Sequence, residues 1–315
     1  MSLYREYRLP IEFERGSMEN PIFIIGLPRS GSTLWLNVLA QNPGIYRIGE
    51  MHFLTPWRRD FRYVLKKQAG DLTDEKNVER LVELLFSRKL IPGLTGPFWL
   101  YDIERVDDPT LREIVKKRIM ESDKSLESFF KILLEEITKF KGYERFCLKF
   151  PVFANHLPKL LKWYPESRII HITRDPRAVA MSRTNDPGGT RHKIKKYPQL
   201  KFFIKKTMVF LTIVQYIWTS KLHQKFKTIK NYELFRYEDL VKDPEKTVKK
   251  LCKFAQIEFV PEMLEPKKGQ ASSITGEKKK GFDKKASSRW KEIISPFDKT
   301  IISLFTKKSM RRFGY

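Results

Sequence analysis

The sequence predicts an α/β fold, a three-layer domain with a mainly parallel central sheet flanked by helices, and three observations carry that expectation. Ile22 to Ile25 form an unbroken apolar run, the pattern of a parallel strand buried on both faces, and Leu34, Leu36, Val38 and Leu39 then change to helical spacing. The order of strand, turn and helix recurs at residues 168–173 before Asp175-Pro176, and at residues 233–237 before Asp243-Pro244. With 315 residues and elements alternating along the chain, one large core is the economical arrangement, so residues 1–315 read as a single domain.

The elements follow in order. Residues 1–16 alternate charged and apolar side chains without an uninterrupted apolar stretch, which is not the pattern of a secretory signal. After the first strand and helix, Asn42-Pro43-Gly44 ends the helix, and Gly49-Glu50 opens a segment whose Phe53, Trp57, Phe61 and Tyr63 suit the lining of a substrate pocket. Residues 71–141 read as two or three helices inserted beside that pocket, with Pro92, Gly93, Gly96 and Pro97 marking a loop. Residues 145–150 form a strand stopped by Pro151. In the next unit Asp175 caps a helix and Pro176 takes its first position. Residues 209–218 are the most apolar later segment, too short to span a bilayer and interrupted by Gln215, hence a core helix. Val248, Leu251, Cys252 and Phe254 give the helix after Asp243 its apolar face, residues 269–288 read as a mobile loop, and a last helix starts at about Pro296.

Lys and Arg number 62 against 37 Asp and Glu, a formal charge of +25. Most of that excess suits solvated helix faces and the runs at 278–280 and 284–285, which serve solubility, and the remainder could steer an acidic acceptor or an anionic membrane surface. Two cysteines, Cys147 and Cys252, lie in apolar patterns and cannot form a disulfide framework; both are expected to be reduced.

The turn after the first strand reads Gly26-Leu-Pro-Arg29-Ser30-Gly31-Ser32-Thr33. Glycines allow close backbone approach there, the first N–H groups of the helix point into the turn, and the helix dipole favours negative charge. A nucleotide-binding P-loop would continue with Gly-Lys-Ser/Thr, its lysine on the terminal phosphates and its hydroxyl on Mg²⁺. Here Arg29 precedes the glycine, and Ser30, Ser32 and Thr33 supply hydroxyl donors without a metal station, so the loop is P-loop-like but suited to an anion bound without metal. A second anion station is Arg174 at a strand end with Ser182 two helical turns on, sharing a helix face with Asp175 and Ala178.

The run Pro28-Arg29-Ser30-Gly31-Ser32-Thr33-Leu34 resembles the 5′-phosphosulfate loop of sulfotransferases that use 3′-phosphoadenosine-5′-phosphosulfate (PAPS), in a form nearer the tyrosylprotein and Golgi carbohydrate branch than the cytosolic small-molecule branch. Arg174 and Ser182 match the family's 3′-phosphate motif in type and spacing, and beside them Tyr237 in Tyr-Glu-Asp resembles its adenine-side tyrosine, although aromatic residues at strand ends are usually core. The resemblance implies PAPS as co-substrate without a metal, and a small-molecule, carbohydrate, lipid or peptide hydroxyl as acceptor, with no nucleic-acid partner. It implies that Arg29 and Lys149 neutralise charge at the leaving oxygen. The cytosolic branch places a histidine two residues after the strand-end lysine as base, but Pro151 stands there. The tyrosylprotein branch uses a glutamate in a Gly-Glu-Glu segment, which matches Gly49-Glu50, so Glu50 is the expected base and His52 its competitor. His156 and His171 read as structural. Lys280, Lys284 and Lys285 resemble a lysine-bearing loop that closes over the co-substrate, with no choice among them. The membrane anchor of the Golgi members is not evident in this sequence, from which a cytoplasmic location is expected. The rival functions are a P-loop-like kinase or NTPase, against which the missing loop lysine speaks, and a basic module for nucleic acid or anionic lipid, which explains the charge but not the motif spacing.

Overall fold

The computed structural model describes residues 18–50, 69–86, 108–150, 157–186, 189–266, 270–271, 278–279 and 281–315. The expected pocket aromatics Phe53, Trp57, Phe61 and Tyr63, together with His52, His156 and Lys280, lie outside the described residues.

Strand β1 (Ile22–Gly26) is buried along its whole length because it is the middle strand of the sheet. Its side chains alternate between two cores. Phe23 and Ile25 join Phe146, Leu148 and Leu133 on one face, while Ile22 and Ile24 join Trp35, Val38 and Leu251 on the other. An apolar residue at every position is therefore what a two-sided strand requires. The sheet has five strands in the order β2-β3-β1-β4-β5, with β2 (Ile45–Glu50), β3 (Arg145–Phe150), β4 (Arg168–Thr173) and β5 (Tyr232–Arg236), and every neighbouring pair is parallel.

Two elements differ from expectation. Strand β2 is an addition: residues 45–50 are a strand that ends, rather than opens, at Gly49-Glu50, with a shift in register between Arg47 and Gly49, where Gly49 has φ 95°. Strand β5 ends at Arg236, so Tyr237 begins a helix.

Helix α1 (Ser32–Leu39) follows β1 directly, and among the described residues of the insertion the helices are α2 (Glu75–Phe86), α3 (Pro109–Glu121) and α4 (Leu126–Phe140). Asp108 and Ser125 cap α3 and α4 through their side chains, and Pro109 takes the first position of α3. The short α5 (Leu157–Trp163) leads into β4. Then come α6 (Pro176–Thr184), capped by Asp175, the basic α7 (Thr190–Lys196) and the long α8 (Lys201–Phe226), followed after β5 by α9 (Tyr237–Lys242) and α10 (Pro244–Ala255). Within the expected loop at 269–288, described residues form secondary structure. Residues Gln270–Ala271 (β6) and Lys278–Lys279 (β7) pair antiparallel, and Lys284–Ser287 form a 3₁₀ turn before α11 (Trp290–Ile293) and α12 (Pro296–Arg312).

The apolar stretch at 209–218 lies within α8, and only one side of it is core. Val209, Thr212, Ile213 and Tyr216 are buried, whereas Phe210 and Val214 face solvent. Cys147 and Cys252 are free and buried, and burial pushes their thiols up to about 12 and about 11. Among the described residues no helix is long and apolar enough to cross a membrane.

Candidate functional site

The chain crosses from β1 to β2 on one side of the sheet and later enters β4 on the other. The carboxyl ends of β3, β1 and β4 therefore surround a point where the strand order reverses, the position at which open parallel sheets present ligand sites. Each of these three ends carries a sequence-predicted residue: Lys149 on β3, the Arg29 loop after β1 and Arg174 after β4.

The loop is shaped by close approach. Gly26 has φ 152°, and a Cβ there would stand 2.5 Å from the carbonyl oxygen of Ile172. At Gly31, φ is 94° and a Cβ would meet the Tyr237 ring at 2.3 Å. Arg29 also holds a positive φ, 74°, an unusual conformation for a residue with a side chain. Gly31 caps α1 without a side-chain hydrogen bond, and there is no acidic residue in the first turn. Leu34 N–H donates to the Gly31 carbonyl at 2.8 Å, which leaves the N–H groups of Ser32 and Thr33 at the start of α1 with no carboxylate of the first turn competing for them. The hydroxyl Oγ of Ser30 is buried without a hydrogen-bond partner, and Ser32 is buried beside it.

Lys149 is buried at 5% exposure, and its Nζ donates to Thr33 Oγ1 at 2.8 Å, so a cation from β3 touches the first turn of α1. In the parallel register Lys149 is paired with Glu50 at the end of β2 and with Ile24 on β1. Glu50 and Lys149 are therefore neighbours across one strand spacing of about 4.8 Å.

Arg174 is held from three directions. Its Nη1 donates to the carbonyl of Arg29 at 3.3 Å, its Nη2 donates to the carbonyl of Ala286 at 2.7 Å, and its guanidinium lies 4.3 Å from the centroid of the Tyr237 ring. Ser182 sits on α6 as expected, but its partner is Arg29, whose Nε donates to Ser182 Oγ at 3.3 Å and whose Nη1 lies 3.5 Å from Asp186. The two stations inferred separately from sequence thus meet at Arg29, whose side chain reaches toward α6. Tyr237 is buried between the loop glycine and Arg174, and burial raises its phenol above the ordinary range.

Three participants escaped the sequence reading. Asp186 holds the Arg29 guanidinium; its only signal was an acid four residues after Ser182. The carbonyl of Ala286 brings the 3₁₀ turn at Lys284–Ser287 against Arg174, which puts the exposed Lys284 and Lys285 at the rim. Glu238, next to Tyr237, accepts from the backbone N–H of Asp175 at 3.0 Å and ties α9 to the end of β4. Asp175 itself pairs with Arg177 at 2.7 Å, which removes Arg177 from the site. His171 is wholly buried, with Nδ1 bonded to the Tyr232 hydroxyl, in keeping with a structural role.

Chemically, the arrangement offers the N–H groups of a helix start, three hydroxyls and three cations at adjacent strand ends, donors suited to a ligand with more than one anionic group. No group of acidic, histidine and cysteine side chains suited to a metal occurs among the described residues.

Comparison with known proteins adds three findings. The family model described as "Sulfotransferase family" matches residues 21–261, which includes every strand of the sheet. Two solved structures share the fold: the sulfotransferase domain of the Synechococcus PCC 7002 olefin synthase, at 22% identity and TM-score 0.54 with 99% of each chain covered, and the sulfotransferase domain from the curacin biosynthetic pathway, at 20% identity and TM-score 0.53 with 93% of this chain and 99% of that one covered. An uncharacterized protein of Aquifex aeolicus (strain VF5) is 21% identical over 277 residues, 87% of this chain; the chain spans only 30% of that relative's length.

Proposed function

Because the chain belongs to the sulfotransferase family, we propose that it moves a sulfuryl group from PAPS to a hydroxyl acceptor, leaving a sulfate ester and adenosine 3′,5′-bisphosphate. The observation that carries this reading is the meeting of Arg29, Lys149 and Arg174 with the open start of α1 at three adjacent strand ends. The residues fit such a ligand on a further count: the buried Ser30 hydroxyl has no partner.

When bound, PAPS supplies an activated sulfuryl group whose leaving oxygen belongs to the 5′-phosphate. The backbone of Gly31, Ser32 and Thr33 with the hydroxyls of Ser30, Ser32 and Thr33 would bind that end, as helix starts bind phosphates. Lys149, reaching Thr33, neutralises charge gathering on the leaving oxygen, a task that needs fixed cations where metal is absent from the mechanism. Arg174 and Ser182 bind the 3′-phosphate. Arg29 stands between the two ends and exchanges its contacts with Ser182 and Asp186 for the ligand's anionic oxygens. Tyr237 lends its ring to the adenine side. The acceptor hydroxyl must lose its proton as its oxygen attacks sulfur, and Glu50, one strand spacing from Lys149, takes that proton.

Calorimetry with adenosine 3′,5′-bisphosphate and transfer from radiolabelled PAPS in the presence of EDTA test the proposal. Millimolar product without a binding signal refutes it, and Mg²⁺-dependent ATP turnover without any response to PAPS transfers the site to a kinase or NTPase. Glu50→Gln is expected to keep ligand affinity and lower turnover about 10²-fold or more, the scale of a lost general base; retained turnover moves the role to His52.

A further inference from the structure

The segment that joins α6 to β5 carries an unusual surface. From Pro187 to Tyr232 there is no Asp or Glu, and the same stretch holds 11 Lys and Arg. Large apolar side chains stand open within it and beside it: Phe202, Phe203, Phe210, Phe297, Leu304 and Phe305 are each 58–66% exposed. On α8, Phe203, Thr207, Phe210 and Val214 follow one another at i, i+4, i+7 and i+11, which is a single stripe on one helix face, and all four are exposed.

Three of these rings, Phe202, Phe203 and Phe297, form a connected patch. Phe202 and Phe203 meet edge to face at 5.7 Å, and Lys206 lies 5.4 Å from the Phe202 ring and 4.9 Å from the Phe297 ring, so the starts of α8 and α12 share one cluster. The lysines surround it. Lys193, Lys195 and Lys196 on α7 and Lys201 at the start of α8 are exposed, and Lys196 lies 5.2 Å from the ring of Tyr197. Asp298, paired with Lys206 at 2.7 Å, is the acid that meets a lysine of the patch among the described residues.

We propose that this basic aromatic tip docks on an anionic lipid surface. Exposed phenylalanines beside lysines, with almost no acid, complement the interface of a bilayer, where rings enter the acyl boundary and ammonium groups meet anionic headgroups. A second copy is the poorer occupant, since a self-complementary contact would set these lysines against themselves. Nucleic acid would match the charge but leave the Phe203–Phe210–Val214 stripe uncovered.

The tip also has a direction. After α8 ends at Phe226 the chain enters β5 at Tyr232, so the end of α8 lies at the amino edge of the sheet. Its 26 residues span about 39 Å, against about 17 Å for a five-residue strand, which carries Lys201 past the carboxyl ends of the strands, the side on which Arg29 and Arg174 lie. Docking therefore turns the candidate site toward the membrane.

The test is sedimentation of the full chain with vesicles of phosphatidylcholine alone and with vesicles containing phosphatidylserine. Binding is expected only to the second and is expected to weaken as salt rises. Lys195→Gln/Lys196→Gln should reduce partitioning by roughly thirty-fold, from the contribution of each basic residue near a charged surface. Phe202→Ala/Phe203→Ala should reduce it by roughly tenfold or more. Both variants change exposed side chains, and unaltered thermal unfolding shows that they remain folded. Failure to sediment with phosphatidylserine vesicles at low salt overturns the proposal, as does binding unaffected by both variants, tighter binding to duplex DNA than to vesicles, or a concentration-dependent dimer abolished by the phenylalanine changes. None of these readouts depends on sulfuryl transfer.

Discussion

Gly31→Ala is the sharpest perturbation of the loop, because its consequence follows from the space around the residue. The new Cβ would stand 2.3 Å from Cδ2 and 2.7 Å from Cε2 of the Tyr237 ring. Carbon atoms in contact settle at about 3.6 Å, so the ring or the loop must move by about 1.3 Å. The ring has little room to move: it is 5% exposed and lies under the Arg174 guanidinium at 4.3 Å. Alanine at φ 94° adds about 1–2 kcal/mol of backbone strain, and overpacking of this kind costs about 1–3 kcal/mol. Together they predict a destabilisation of about 2–5 kcal/mol, read by denaturant unfolding, with loss of affinity for adenosine 3′,5′-bisphosphate read by calorimetry. Because the clash involves one ring, Gly31→Ala/Tyr237→Ala should be destabilised by clearly less than the sum of the two single changes. A Gly31→Ala protein of unchanged stability and affinity, or strict additivity in the pair, would refute the reasoning.

Three further outcomes are expected. Arg174→Ala removes two charge-assisted hydrogen bonds and a cation–π contact, and should weaken adenosine 3′,5′-bisphosphate binding by about 1.5–3 kcal/mol in calorimetry. Lys149→Ala should lower kcat in a transfer assay far more than it raises KM for PAPS; a change confined to KM contradicts its role at the leaving oxygen. Stability should also depend on pH through the His171–Tyr232–His223 cluster, in which the Tyr232 hydroxyl meets Nδ1 of both rings. Burial lowers His171 from 6.5 to about 3 and lowers His223 as well, so the unfolded chain binds protons that the native protein refuses. Stability is complete above the unfolded value and falls as pH drops through it, by up to about 1.4 kcal/mol per pH unit for each proton. Denaturant midpoints that do not move between about pH 7 and about pH 5 would contradict this assignment.

Much of the fold was legible because its signals are local. The apolar run at 22–25 marks a strand covered on both faces, Asp175-Pro176 and Asp243-Pro244 mark helix starts, and each of these elements stands within a residue or two of its expected place. Strand β2 was not legible: its six residues are broken by Arg47 and Gly49, between which the register shifts, and so lack the unbroken apolar run of β1. Tyr237 was read as the end of a strand because its aromatic side chain suits one, whereas the acids of Glu238 and Asp239 behind it open a helix.

For the site, the residue types and their spacing along the chain were determined by the sequence itself: a loop of glycines, hydroxyls and Arg29, an arginine with a serine eight residues on, and a lysine closing a strand. Their assembly was decided by the tertiary structure. Lys149 meets Thr33, Arg29 meets Ser182 and Asp186, and Ala286 meets Arg174 across separations of more than a hundred residues, none of which a local pattern encodes. The order of strands sets which tips are neighbours, and that order is a property of how two cores pack on one sheet. The open stripe on α8 has the same origin. Apolar residues stand on every side of the helix over residues 208–214, and the packing of α6 and α12 against one flank leaves Phe210 and Val214 there, with Phe203 before them, facing water.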